Sequence, residues 1–90
     1  MDRASFEAEL RRDGYEPVER RRSANETDPD HAHGFDARLL ILEGAITIDC
    51  GGKAHTYRPG ETCEVAAGIR HSEQIGPEGV FYLAGRRSAR

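Results

Sequence analysis

The twelve residues from Ile46 to Tyr57 constrain the fold more than any other stretch. Ile46, Ile48 and Cys50 alternate with Thr47 and Asp49, the period of a strand with one face buried. Gly51-Gly52 follows, and both positions accept positive φ, as a two-residue hairpin loop requires. The predicted register pairs Cys50 with Lys53, Ile48 with His55 and Ile46 with Tyr57, placing His55 and Tyr57 on the isoleucine face. Turn signals recur along the chain at Glu43-Gly44, Arg58-Pro59-Gly60-Glu61, Ala66-Ala67-Gly68 and Gly76-Pro77-Glu78-Gly79. Their spacing of roughly ten residues predicts a small all-β fold, an antiparallel barrel or sandwich.

Around that hairpin the pattern predicts strands over 17–22, 31–42, 62–65, 69–75 and 80–84, with a polar loop over 23–30. The last two strands are expected to form a hairpin, setting Ile75 opposite Val80, Glu73 opposite Tyr82 and His71 opposite Ala84. Residues 4 to 13 read as a short amphipathic helix: Phe6 and Leu10 share a face, Glu7 precedes Arg11 by four, and Gly14 provides a stop. The expected organisation is a helix over 1–14, a β-barrel over 15–85 and a basic tail over 86–90.

With 90 residues the chain is one domain, and its core must be compact. A net charge of -3 provides no overall attraction to nucleic acid or to an anionic membrane. Arg20-Arg21-Arg22 does not change this, because Glu16 and Glu19 flank it and no aromatic residues interleave for base stacking. It reads instead as a solvated edge strand whose charge blocks aggregation. The longest aliphatic run, Leu39 to Leu42, is far too short for a membrane span. The first residues lack the basic-then-apolar order of an export signal, so a cytoplasmic protein with reduced Cys50 and Cys63 is expected. Open sheet edges predict pairing into a homodimer.

His31-Ala32-His33 carries the chemistry. On an extended strand, side chains two apart leave the same face, close enough for two imidazoles to meet one metal ion. His71 would complete a three-histidine set suited to Zn, Fe, Ni, Mn or Cu, with positions open for water or substrate. Glu73 follows His71 in phase, as a fourth ligand, a general base or an acceptor for a histidine N–H. Tyr82 is expected to bring its hydroxyl to the same pocket. On spacing alone, the alternative of solvated histidines on a metal-free structural barrel carries similar weight. Cys63 reads as a buried small hydrophobe, and neither cysteine has a CxxC partner.

These residues resemble the two short motifs of the cupin superfamily. His31, His33 and Gly44 match the first motif, and Gly60, Gly68 and His71 match the second. The chain departs from the pattern where Ala37, or Arg38 with one insertion, replaces a glutamate, Ala66 a proline and Ile75 an asparagine. The resemblance covers residues 17 to 85 and implies a double-stranded β-helix, or jelly roll, with a divalent metal held by His31, His33 and His71. Without the glutamate the ligand set is neutral, which favours an anionic or oxygen-rich organic ligand. Asp36 should point to the opposite face of the strand. Two functions follow from the resemblance: metal-dependent catalysis of the dioxygenase or isomerase type with Glu73 and Tyr82 moving protons, or binding and sensing of a metabolite without chemistry.

Overall fold

In the computed structural model, which describes residues 1–88, helix α1 spans Arg3–Arg12 and six strands follow. They are β1 (Glu16–Arg22), β2 (Thr27–His31), β3 (Phe35–Cys50), β4 (Lys53–Tyr57), β5 (Thr62–Val65) and β6 (His71–Ser88). The Gly51-Gly52 hairpin has the expected register, with Cys50 opposite Lys53, Ile48 opposite His55 and Ile46 opposite Tyr57.

Two long strands organise everything else. The first half of β3 pairs with β5 and with the second half of β6, which also pairs with β1. The second half of β3 pairs with β4 and with the first half of β6, which also pairs with β2. All pairings are antiparallel, so β3 and β6 pass from one layer to the other and close a jelly roll. The passage occurs at glycines. β3 shifts register between Ile41 and Glu43 and again between Gly44 and Ile46, and β6 accommodates the second shift with extra residues between Ile75 and Val80. Gly44 and Gly79 both have positive φ there.

This bulge corrects the expected hairpin over 69–84. Ile75 faces Ile46, Val80 faces Gly44 and Arg22, and His71 faces His31, because Gly76-Pro77-Glu78-Gly79 bulges out of one strand instead of reversing it. Pro77, which cannot donate to a ladder, sits in the bulge where no pairing is needed. Two further expectations are corrected. Residues 27–30, read as loop, belong to β2, whose Pro29 lies where the pairing to β6 shifts register. Arg86, Arg87 and Ser88, read as tail, extend β6 and pair with Ala37, Asp36 and Phe35, while residues 89 and 90 lie outside the described range.

Between the layers lies a core of Leu39, Ile41, Val65, Val80, Tyr82 and Ala84 from one side and Ile46, Ile48 and Ile75 from the other. The outer face of the β1–β6–β3 layer is covered by α1, where Phe6 and Leu10 pack with Tyr15, Leu40 and Leu83. Burying Phe6 and Leu10 stabilises this docking by about 1.5–3 kcal/mol each. Asp2 caps the helix by accepting from the Ser5 amide at 2.9 Å. At the other end, Arg38 pairs with Asp13 at 2.6 Å and lies over the Tyr15 ring. Among the described residues, no helix is long and apolar enough to cross a membrane.

Candidate metal centre

His31 ends β2 and His33 lies in the bend before β3, so the pair is not on one strand as expected. The bend nevertheless brings both rings to His71, the first residue of β6 and the direct register partner of His31. Ring centroids lie 4.8 Å apart for His31 and His33, 4.4 Å for His31 and His71, and 5.0 Å for His33 and His71. The bend is held by the Gly68 amide, which donates to the His33 carbonyl at 2.9 Å. The His33 ring stacks on Phe35 at 4.6 Å.

Hydrogen bonds set the orientation of two rings. Nδ1 of His71 faces the Ile69 carbonyl at 3.0 Å, and Nδ1 of His31 faces the Pro29 carbonyl at 2.6 Å. A carbonyl can only accept, so each Nδ1 donates, which leaves Nε2 as the ring nitrogen that could serve as a ligand. His71 is only 1% exposed. Its Nε2 is 3.3 Å from Oε2 of Glu73, which shares its face of β6. One donor atom from each of His31, His33, His71 and Glu73 lies within 4.8 Å of the other three. Ligands at about 2.1 Å from one ion are at most about 4.2 Å apart, so the group fits a first-row divalent metal after a contraction of roughly half an ångström.

The acid–base state of His33 also suits a cation. Burial, followed by the neighbouring His31 and His71, lowers the His33 pKa and keeps its imidazole neutral. Burial, followed by the cross-strand carboxyl of Asp28, pushes the Glu73 pKa up. Burial also opposes ionisation of Asp28, but hydrogen bonding from Glu73 and Arg22 outweighs it and holds that pKa down. Of the two carboxyls, Glu73 is therefore the one that takes up a proton more readily.

No protein-family model and no curated protein matches the sequence. Solved structures do match in shape. KdgF from Halomonas sp. superposes with a TM-score of 0.73 at 14% identity, over 86% of this chain and 71% of that one. An RmlC-like cupin from Shewanella frigidimarina gives 0.72 at 18% identity, over 86% and 68% of the two chains. A cupin protein from Bacteroides fragilis gives 0.68 at 19%, over 84% and 67%. This chain has the cupin fold.

Against the cupin motifs, the structure shows where the departure at Ala37 lies. Ala37 lines the cavity, so the position usually held by glutamate does face the histidines but contributes no ligand. Asp36 points away, accepting from the Ala67 amide at 2.9 Å and from Arg87 at 3.2 Å. Tyr82 reaches the cavity although it faces Arg20 and Ile41 rather than Glu73. Burial, followed by Glu73, pushes its phenol pKa up, so the hydroxyl keeps its proton. His55 is exposed on β4 against Tyr57 and takes no part. Cys63 is pushed up to about 12 by burial, which removes it as a thiolate nucleophile.

The sequence reading missed four charged residues that line the cavity: Arg20, Arg22, Asp28 and Arg86. The signal for two of them was present. Arg20 and Arg22 are two apart on β1 and share its inner face, whereas Arg21 lies outward over the Phe81 ring. Arg22 is not a solvated edge residue. It contacts Asp28 at 3.0 Å, Glu26 at 3.4 Å and Glu73 at 3.5 Å.

Proposed function

We propose that this chain binds a divalent metal ion through His31, His33 and His71, and a small anionic or oxygen-rich organic molecule beside it. The observation that carries this reading is the convergence of four donor atoms within 4.8 Å, with two imidazoles oriented by backbone carbonyls. Zn, Fe, Ni, Mn or Cu suits such a donor set. When bound, a divalent ion supplies Lewis acidity and a position for an anionic oxygen. Glu73, carrying a proton more readily than an ordinary carboxyl and with Oε2 at 3.3 Å from His71 Nε2, would hold or deliver that proton. Tyr82 would donate its hydroxyl to a ligand oxygen. The apolar side chains of Leu39, Ile48, Val65 and Ala84 exclude water from the inner end of the cavity.

Two measurements test this reading. Purification without a histidine tag and soaking in a divalent-metal mixture should yield close to one ion per chain, and no uptake would overturn it. Incubating the loaded protein with a metabolite mixture in air, followed by mass spectrometry, separates catalysis from retention. Depletion of one compound over several turnovers marks an enzyme of the dioxygenase or isomerase type. Stoichiometric retention marks a binding or sensing module, a reading favoured by Glu73's engagement with Arg22, Asp28 and His71. Pairing into a homodimer through the open β1 edge, where Val18 is exposed, belongs to the same proposal, and a monomer in light scattering would remove it.

A further inference from the structure

We propose that Arg20 and Arg86 are the recognition residues for a carboxylate at the rim of the cavity, making the ligand a small organic acid. The inference rests on the metal-pocket reading and narrows its ligand class. Three guanidiniums line the cavity (Arg20, Arg22 and Arg86) against two carboxyls, Asp28 and Glu73. Arg22 is committed to both carboxyls and to Glu26. Among the described residues, Arg20 and Arg86 have no carboxylate within 4.0 Å. They are the positive charges of the cavity without a partner, and a divalent ion bound by neutral imidazoles adds two more.

Their placement is built rather than incidental. Arg86 holds its guanidinium carbon 4.6 Å above the Phe35 ring, and Phe35 in turn stacks on His33. Arg20 is the cross-strand partner of Tyr82, whose ring forms part of the cavity wall. Between the two positions on that face lies Ala84, small enough to leave the space open. The cavity volume of about 150 Å³ admits a molecule near the size of benzene, so both arginines border one short ligand. A guanidinium fork matches the two oxygens of a carboxylate and repels an amine. The ligand class is then an acid with a hydroxyl, oxo or second acidic oxygen a few atoms from its carboxylate. The carboxylate lies at the arginines and the other oxygen at the histidines.

Two hydroxamates test this on zinc-loaded protein by calorimetry. Acetohydroxamate carries only the chelating group, and the monohydroxamate of succinic acid adds a carboxylate. The acid-bearing probe should bind about tenfold or more tighter. The ratio should fall toward one in the Arg20→Gln/Arg86→Gln double variant, with zinc stoichiometry and acetohydroxamate affinity unchanged. Arg21→Gln, on the outer face, should keep the wild-type ratio, and the double lysine variant should be intermediate because it retains charge without the fork. Equal affinity of the two probes for the wild type, or an unmoved ratio in the double variant, overturns the proposal. A protein that takes up no zinc and ignores acetohydroxamate fails the metal reading alone. Succinate titrated into that metal-free protein then decides: binding lost in the double variant upholds the arginine pair, and no binding to the wild type removes it.

Discussion

His33 combines the two demands made on the cluster, a neutral ring and a fixed bend. Its backbone is tied to the Gly68 turn and its ring to Phe35, so truncation removes a donor without cutting a strand. His33→Ala should therefore abolish stoichiometric metal uptake while the metal-free protein unfolds within a few degrees of wild type, read by elemental analysis and thermal melting. Ala37 offers the reciprocal experiment. Because it already faces the cavity, Ala37→Glu should supply the missing anionic ligand and tighten divalent binding by about tenfold or more. An unchanged affinity in a metal titration would show that the side chain does not reach the ion. Proton linkage at His33 has a definite sign. With its folded pKa lowered, the folded state binds fewer protons than the unfolded chain, so stability is full above about 6.5 and is lost as pH falls toward the folded value. Metal affinity should decline over the same acid range, because protons compete for the His33 imidazole.

At the scale of elements, the crossing of the two long strands and the docking of α1 are the sensitive points. A Cβ on Gly44 would stand 2.0 Å from the Gly79 carbonyl oxygen, at a φ of +75°. Gly44→Ala should cost on the order of 3 kcal/mol or more, measured by denaturant unfolding, because left-handed strain and a backbone clash add. The helix is held by charge as well as by Phe6 and Leu10. Arg38, followed by Arg12, lowers the Asp13 pKa, so its contribution is present above the usual carboxylate value and is lost as pH falls through the lowered one. Tyr15, between Arg38 and Arg87, should report the release of α1 in its fluorescence below about pH 4. Hairpin β3–β4 and strand β5 were fully legible in the sequence, because a Gly-Gly loop and strict alternation specify register locally. The bulge in β6 was not. Gly76-Pro77-Glu78-Gly79 has the composition of a turn, and pairing of β6 with distant β3 and β1 overrides that local preference.

For the whole molecule, metal and fold should be thermodynamically linked, since β2, the bend and β6 meet only in the folded chain. Zinc at about one hundred times its dissociation constant should add about 2.7 kcal/mol of stability. In a domain of this size that raises the melting midpoint by roughly 10 °C or more. A midpoint that does not move with zinc would contradict the proposed centre. The sequence by itself determined the residue types of the candidate donor group, the shared phase of His71 and Glu73, the amphipathic helix and the central hairpin. All of these depend on neighbours within a few positions, where side-chain direction follows from the period of the backbone. Only the tertiary structure decided that His31 faces His71, that β6 bulges instead of folding back, and that Arg86 joins Arg20 and Arg22 around the cavity. Those placements depend on which distant strands pair and in what register, and on long side chains whose direction is set by the cavity they border rather than by their own segment.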